Sequence, residues 1–453
     1  MPEKNRSSFF EVIHLGYPLL AGMFAEYIMY IADSIMLGRL GTQYLAAVAI
    51  GGLVVEILWV FAWTLAPGVQ AICSRRFGIQ NERSPAFTGE VFNAGFIFGI
   101  AAGFLILGTS FASKAVISGL VRSPLTVSLS MEYIVIIRWS IPISAFFYTI
   151  YGFLAGIRKT KQVMYATIGM NVLNVILNYF LIFGRMGFPA MGIRGAAWGT
   201  IIAQGAGLLY FILIIAVPKE YRVYKLFTFK NLHKDLFIDI ARTWLPLCLQ
   251  YIISHAVFLV YEGLLSRFGA ASLAAMHVVI SFVWFGKTIA GGFADGAAIL
   301  VGNSLGRGDK KAAVRYAYVS MLIGVIIGLI IFALARFTPA LLVKIFNDEP
   351  DTLAVGTEAL TFFAFFFFLS IFGHSIETIF THNGWSSFVF ISDAAANVLL
   401  TLGFTLVVLK VFNGGMRTAW LGYGFYSICF TALLMGGFFS MRWTRRKVDS
   451  AVD

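Results

Sequence analysis

Residues 33–47 read DSIMLGRLGTQYLAA, and residues 261–275, which lie 228 positions later, read YEGLLSRFGAASLAA. The two stretches share an arginine, a glycine and a closing Leu-Ala-Ala in the same register. That register continues without a gap over residues 10–100, so that Pro18 corresponds to Pro246. The chain therefore consists of two like halves, and the repeat sets the fold.

The composition indicates that both halves lie in a membrane. Hydrophobic residues make up 59% of the chain and charged residues 12%, whereas soluble domains carry roughly 45–50% and about 25%. About twelve apolar stretches of about 20 residues recur, six in each half, and each can span the hydrocarbon core. They are continuously apolar, which favours helices over a barrel. We predict an all-α membrane protein with twelve transmembrane helices in two six-helix bundles, related by a pseudo-two-fold axis along the membrane normal.

The polar segments predict the domain boundaries and the orientation. We expect an N-terminal lobe over 1–217, a cytoplasmic linker over 218–242 and a C-terminal lobe over 243–453. Lysine and arginine are concentrated at the termini and in alternate loops, which by the positive-inside rule predicts that both termini are cytoplasmic. The net charge of +12 is thereby explained without a nucleic-acid partner. We expect a multi-pass monomer in the bacterial cytoplasmic (inner) membrane.

The sequence lacks the common motifs of metal, nucleotide and redox sites. It has no His-Glu-x-x-His, Cys-x-x-Cys, Walker A or dinucleotide-binding glycine pattern. The three cysteines have no metal-site spacing. We therefore predict no enzymatic activity, no cofactor and no metal, and any pumping must use an ion gradient.

One position breaks the symmetry of the repeat. Asp33 lies in the first apolar segment, and its counterpart is Tyr261. A carboxylate at membrane depth costs about 2.5–3.5 kcal/mol on insertion scales and marks an ion or substrate path by default. Glu26 and Tyr30 share its helix face at i, i+4 and i+7 spacing. The alternative is that Asp33 sits at shallow depth and only ends the span.

A second polar stripe lies in the fifth segment. Asn171, Asn174 and Asn178 follow the i, i+3, i+7 pattern, so one face of this helix carries three amides. Buried amides need hydrogen-bond partners. They could join a functional site or serve only as structural contacts between helices.

Several motifs together resemble those of the prokaryotic multidrug and toxic compound extrusion (MATE) transporters. The resemblance covers nearly the whole chain in the family's order. Its motifs are Asp33–Gly41 with Leu45–Ala47, Asn171–Gly184, Gly192–Trp198, Leu273–Ala275, Val301–Asp309, Asn397, and Ala419–Trp420.

The resemblance implies a cation site in the N-terminal lobe and a bend in the first helix. The site residues it implies are Asp33, Asn174, Asn178 and Thr200. Pro18 matches the family's bend position, where the missing backbone hydrogen bond permits a kink. Some proton-coupled members carry a carboxylate at the position of Asn178. With an amide there, Asp33 would titrate alone or with help from Glu26.

The second half departs from the sodium-coupled members of the family. Those members carry carboxylates on the seventh and tenth helices. The corresponding positions in this chain lie near Ser254 or His255 and near Phe372, none of which is acidic, and this weakens the case for sodium coupling. Other ionisable residues lie at membrane depth: His255, Glu262, His277, Lys287, Asp295, His374, Glu377 and Asp393. They predict either a charge-balanced structural network or a second proton or substrate site.

These observations together predict a secondary active transporter. We expect export of organic, cationic or amphipathic compounds by proton antiport through alternating access in the lipid bilayer. The alternatives are a sodium-coupled antiporter and a lipid-linked-oligosaccharide flippase, for which Arg138 and Lys287 are the candidate basic residues. A membrane-embedded enzyme or a receptor-like binding module is the alternative from a different class.

Overall fold

The computed structural model describes residues 7–120, 123–230, 232–346 and 349–445. Within these ranges the chain is helical and contains no strand. Eleven helices are long and apolar enough to cross a membrane, and one bent pair supplies a twelfth span. The prediction of an all-α membrane protein with twelve spans in two bundles is confirmed.

The first six spans are built from nine α-helices. These are α1 (Ser8–Gly38), α2 (Thr42–Trp63), α3 (Leu65–Gly78), α4 (Ser84–Thr109), α5 (Ser113–Leu120), α6 (Pro124–Ile137), α7 (Ser140–Gly156), α8 (Thr160–Phe183) and α9 (Ile193–Ala216). Helices α2 and α3 follow each other across a single residue, Thr64. Helices α6 and α7 form the span that is bent by 47°. Proline begins α6, where its missing N–H costs nothing.

The second set of spans contains eight α-helices. These are α10 (Lys234–Leu265), α11 (Ala270–Gly306), α12 (Lys310–Phe337), α13 (Pro339–Lys344), α14 (Pro350–Thr381), α15 (Ser386–Ala396), α16 (Thr405–Lys410) and α17 (Met416–Phe439). A π-helical segment, Asn397–Phe404, joins α15 to α16 within one span. π-helical segments are rare overall, and those that occur are often found at functional sites.

The chain divides into two compact units, and the division passes through two helices. The N-terminal unit comprises Ala21–Trp244, and the C-terminal unit comprises the described residues up to Leu20 and those from Leu245 onward. Helices α1 and α10 therefore each contribute to both units. The divisions fall beside Pro18 and Pro246, which correspond in the repeat. The boundaries expected from the sequence, 217/218 and 242/243, lie after α9 and within α10.

The first part of α1 packs closely on α11 in the C-terminal unit. A Cβ atom added at Gly296 would lie 2.6 Å from the backbone nitrogen of Gly16, and one added at Gly292 would lie 2.7 Å from the Cβ of Leu20. Small residues let two membrane helices meet backbone to backbone. One turn earlier on α1, the carboxylate of Glu11 accepts a hydrogen bond from the hydroxyl of Tyr316 on α12.

The linker after α9 packs on the N-terminal unit. A 3₁₀-helix covers Lys219–Tyr224, and the hydroxyl of Tyr221 donates to Gln162 Oε1 at 2.5 Å. Asn93 Nδ2 on α4 donates to the carbonyl oxygens of Lys225 and Thr228 at 3.1 and 2.9 Å. This linker segment therefore makes specific contacts with α4 and α8.

The repeat is also visible in two ion pairs. Arg194 on α9 contacts Glu132 on α6 at 3.0 Å, and Arg417 on α17 contacts Glu358 on α14. In each half, an arginine in the first turn of the last span contacts a glutamate in the fourth span of that half. The pairs tie corresponding helices together at corresponding ends.

We expect Gly296→Ala to destabilise the protein. The added methyl group would meet the backbone of Gly16, so α1 must move away from α11, and overpacking of this kind costs about 1–3 kcal/mol. The measurement is thermal unfolding in detergent, followed by size-exclusion chromatography. Gly205→Ala on α9 is the matched control, because nothing lies within 4 Å of its added Cβ. Equal melting temperatures for the two variants would contradict the close packing.

Candidate functional site

Asp33 lies in the part of α1 that belongs to the N-terminal unit, and it faces α8. The two helices approach closely at Gly22, whose added Cβ would lie 3.3 Å from the Cβ of Thr167. Asn178 Nδ2 donates a hydrogen bond to Asp33 Oδ1 at 2.7 Å. Asn178 is fully buried, whereas Asp33 is partly accessible. This contact joins the two polar helix faces that the sequence predicted separately.

The hydrogen bonds continue from α8 to α9. Asn178 Nδ2 also donates to Asn174 Oδ1 at 3.1 Å, and Asn174 Nδ2 donates to Thr200 Oγ1 at 3.1 Å. The hydroxyl of Thr200 donates to the carbonyl oxygen of Ala196 at 3.0 Å. The four residues implied by the family resemblance therefore form one connected chain on three helices, here called the polar chain: Asp33, Asn178, Asn174 and Thr200.

A small apolar cluster lies next to the polar chain on the same three helices. It contains Leu37 of α1, Ile182 of α8 and Ala196 of α9. These side chains hold the helices together one turn beyond Asp33 and Asn178. The helix–helix distances that position the hydrogen bonds are thus set in part by apolar packing.

The carboxylate of Asp33 has few stabilising partners. Among the described residues, its only hydrogen bond is the one from Asn178. No basic side chain in that part of the structure acts on it electrostatically. A carboxylate at membrane depth without a cation is costly, and a proton or a metal cation would remove that cost. The arrangement is suited to reversible binding of a small cation.

Gly199 on α9 determines how the Asn178 amide is placed. A Cβ atom at Gly199 would collide with Asn178 Oδ1. That oxygen is buried and has no hydrogen-bond partner in the described structure. Only glycine leaves room for the amide to turn its nitrogen toward Asp33. Sequence reasoning missed Gly199, although it lies between Trp198, the last residue of a motif that resembles the family, and Thr200.

Glu26 is not part of the polar chain. It lies on α1 seven positions before Asp33 and makes no hydrogen bond to a described residue. It interacts electrostatically with Tyr30 and with Tyr148 of α7. Tyr133 of α6 interacts with Asp33 in the same way. Two acids and three tyrosines thus line the interior of the N-terminal unit, and two of these tyrosines, Tyr133 and Tyr148, were not predicted.

In the C-terminal unit, a buried network is centred on two carboxylates. Glu377 Oε1 accepts from Gln250 Nε2 at 2.7 Å, and its Oε2 lies 3.0 Å from His374 Nδ1. Asp393 accepts from the hydroxyls of Ser254 at 2.5 Å and Tyr426 at 2.6 Å. Each carboxylate is therefore surrounded by N–H and O–H donors.

The structure brings together part of the predicted C-terminal network. Lys287 acts electrostatically on Glu377 and on Asp393. Asp295 lies 3.3 Å from His382 Nε2. Glu262 lies apart and interacts with His277.

The sequence placed Asp393 among the ionisable residues at membrane depth but not in the predicted network, and Gln250 was not predicted. Ser254 stands where sodium-coupled members are expected to carry a carboxylate, and here it donates to Asp393, which comes from a different helix.

Comparisons with known proteins identify the relatives of this chain. A family model described as MatE matches residues 18–180 and 246–407. Two curated relatives are described as "Probable multidrug resistance protein NorM". The one from Agrobacterium fabrum is 25% identical over 76% of this chain and 73% of its own. The one from Rhizobium meliloti is 26% identical over 71% and 69%.

Solved structures share the fold. A MATE structure in the bent conformation has a TM-score of 0.85 and 20% identity, and covers 99% of both chains. A MOP superfamily transporter from Pyrococcus furiosus has a TM-score of 0.85 and 19% identity, and covers 98% of both. The two blocks of the family match begin at Pro18 and Pro246, the prolines that correspond in the repeat.

We expect Asn178→Leu to impair ion-driven efflux. Leucine removes the donor to Asp33 and leaves buried polar atoms unpaired, which costs about 1–3 kcal/mol and so lowers the rate about tenfold. Gly199→Ala should act in the same direction by displacing the amide, and Asn178→Asp should keep or strengthen coupling. The measurement is drug efflux from everted vesicles at matched expression.

Gly205→Ala, also on α9, serves as the control for Gly199→Ala because its added methyl group meets no neighbour. Normal efflux by Asn178→Leu would show that the asparagine stripe is only packing.

Proposed function

Because the chain belongs to the MatE family, we propose that it exports organic, cationic or amphipathic compounds across the bacterial inner membrane in exchange for protons. The curated relatives described as multidrug resistance proteins support export of small organic molecules. The apolar twelve-span fold supports residence in the membrane. The observation that carries the coupling proposal is the polar chain, in which a single buried amide is bonded to the carboxylate of Asp33.

The orientation of the amides favours a proton over sodium. Asn178 directs its nitrogen toward Asp33, while its oxygen points at Gly199. Asn174 likewise donates a hydrogen bond from its side-chain nitrogen to Thr200 Oγ1. Hard cations are held by several oxygen ligands, whereas a proton needs only one carboxylate. The groups around Asp33 therefore suit protonation better than coordination of a metal cation.

Protonation of Asp33 would change its contact with α8. A hydrogen bond to a charged carboxylate is about twice as strong as one to a neutral group. When Asp33 takes up a proton, the bond from Asn178 weakens and α1 is held less firmly on α8. The first part of α1, up to Leu20, belongs to the other unit. Bending of α1 near Pro18 would transmit the change, close the drug site and release the drug outward.

Glu26 and the nearby tyrosines are the proposed contacts for an organic cation. Glu26 offers a carboxyl group with no hydrogen bond from the described residues, and Tyr30 is half exposed. Aromatic rings attract cations over their faces, most strongly when desolvated. A cationic drug at Glu26 would repel a proton on neighbouring groups, which is what antiport requires.

The rival functions receive less support from the geometry. A flippase for a pyrophosphate-linked lipid needs free basic groups, but Lys287 acts on two carboxylates and Arg138 stacks 4.1 Å from the Phe111 ring centroid. A sodium cage in the C-terminal unit would need free oxygens. Glu377 and Asp393 are already occupied by hydrogen-bond donors.

We expect Asp33→Asn to abolish proton-driven efflux while the protein still folds and inserts. The amide keeps the size of the side chain and removes the titrating group. The measurement is efflux driven by an imposed pH difference in proteoliposomes. Asp351→Asn on α14 is a control for loss of a carboxylate, since Asp351 is exposed in the first turn of that helix. Wild-type rates for Asp33→Asn would rule out its coupling role.

We also expect the pH difference to be sufficient as the energy source. In proteoliposomes with equal sodium on both sides, an imposed pH difference should drive export and a protonophore should stop it. A sodium gradient at clamped pH should drive little. Sodium-driven flux that survives the protonophore would refute proton coupling.

A further inference from the structure

Asn171 is the member of the asparagine stripe on α8 that the polar chain leaves out. It is buried, with 2% of its surface exposed. Its Nδ2 has no hydrogen-bond partner among the described residues. A buried donor without a partner is destabilising, and such groups are uncommon in folded proteins. The side chain that could accept this hydrogen bond lies on α1.

Helices α1 and α8 pack in parallel and in register. Gly22 approaches Thr167, and Asp33 accepts the hydrogen bond from Asn178. In both contacts the residue on α8 comes 145 positions after the residue on α1. Two helices keep a constant offset between successive contacts only when they run in the same direction.

The same offset places Glu26 opposite Asn171. Glu26 lies seven residues before Asp33 on α1, and Asn171 lies seven residues before Asn178 on α8. Residues seven apart occupy equivalent positions when two parallel helices pack along a heptad repeat. Glu26 and Asn171 therefore form a second layer of an acid and an amide, about 10 Å before the first along both helices.

The two layers differ in their hydrogen bonding. The first layer is bonded at 2.7 Å, whereas neither Glu26 nor the Nδ2 of Asn171 has a hydrogen bond to a described residue. Glu26 interacts electrostatically with Tyr30 and with Tyr148 of α7 instead. A glutamate side chain turns about three torsions, so its carboxyl group can lie among these tyrosines or reach the amide on α8.

We propose that Asn171 is a specificity-determining residue, whose amide competes with a cationic compound for the carboxylate of Glu26. This inference rests on the proposed function, in which Glu26 is a contact for the organic cation. When the carboxylate turns to Asn171, the buried donor is satisfied and the acid is withdrawn from the compound. A compound with only a weak dipole cannot displace the amide, so the competition favours compounds that carry a full positive charge.

Calorimetric titration of the purified protein in detergent, at one fixed alkaline pH, tests the proposal. The probe is tetraphenylphosphonium, a permanent organic cation. Asn171→Leu should bind the probe about tenfold more tightly, the effect of one hydrogen bond to a charged group. Glu26→Gln should bind it at least about tenfold more weakly. The double variant should bind like Glu26→Gln alone, because the competition requires the carboxylate.

Thr167→Val is the matched control. Thr167 lies one turn before Asn171 on the same face of α8, and its hydroxyl donates to the carbonyl oxygen of Val163 in the same helix. The control should keep the affinity of wild type. Asn171→Ala removes the same donor with a smaller side chain and should also tighten binding of the cation. Triphenylphosphine oxide, a neutral compound of similar shape, should bind wild type and Asn171→Leu equally.

Two results would overturn the competition. Weaker binding of tetraphenylphosphonium by Asn171→Leu would show that the amide contacts the compound itself, and unchanged binding would show that Asn171 only packs. The response of Glu26→Gln separates these failures from failure of the proposed drug contact. If Glu26→Gln weakens binding and Asn171→Leu has no effect, only the competition is wrong. If Glu26→Gln binds like wild type, Glu26 is not a contact for the cation and both proposals fail.

Discussion

The hydrogen bond from Asn178 to Asp33 is the interaction on which the rest of the N-terminal unit depends. It joins α1 to α8 within the predicted membrane-spanning segments, between a fully buried amide and a partly accessible carboxylate. Its geometry requires Gly199, because any larger residue would occupy the space of the amide oxygen. It also requires the apolar cluster around Leu37, which holds α1, α8 and α9 at the necessary distance. A polar contact of 2.7 Å is thus fixed by glycine and aliphatic packing.

The two halves share one arrangement of helices but differ in the charged groups of their interiors. The ion pairs Arg194–Glu132 and Arg417–Glu358 are equivalent, so the scaffold is repeated at side-chain level. The polar interiors are not repeated. In the N-terminal unit Asp33 is bonded to an amide and Glu26 lies among tyrosines, whereas the C-terminal unit holds several carboxylates among histidines and Lys287. The single hydrogen bond on Asp33 supports the proposed coupling in the first half, and the well-bonded carboxylates of the second half suit a structural role.

Sequence periodicity predicted which helix faces carry polar groups, because side chains at i, i+3 and i+7 must share a face. It placed Asp33 and the asparagines on two polar helix faces, and the family resemblance implied that the two faces share a site; in the structure Asn178 Nδ2 lies 2.7 Å from Asp33 Oδ1. It could not predict the role of Gly199, which depends on the distance between two helix axes, nor the 47° bend between α6 and α7. It also could not decide which carboxylate Lys287 meets. Glu262 and Glu377 are equally apolar in context, and only tertiary packing brings Glu377 near Lys287.

The division of α1 between two units gives the proposed coupling a physical route. Residues up to Leu20 are held on α11 by glycines that meet backbone to backbone, a contact that resists sliding. The residues from Ala21 onward are held on α8 chiefly through Gly22 and the Asp33 hydrogen bond. The first contact does not titrate, whereas in the proposed mechanism the second weakens when one proton binds. A change at Asp33 therefore acts on a helix whose other end is fixed. Pro18 lies two residues before Leu20, the last residue of α1 in the C-terminal unit. Because proline has no backbone N–H, bending the helix there breaks fewer hydrogen bonds.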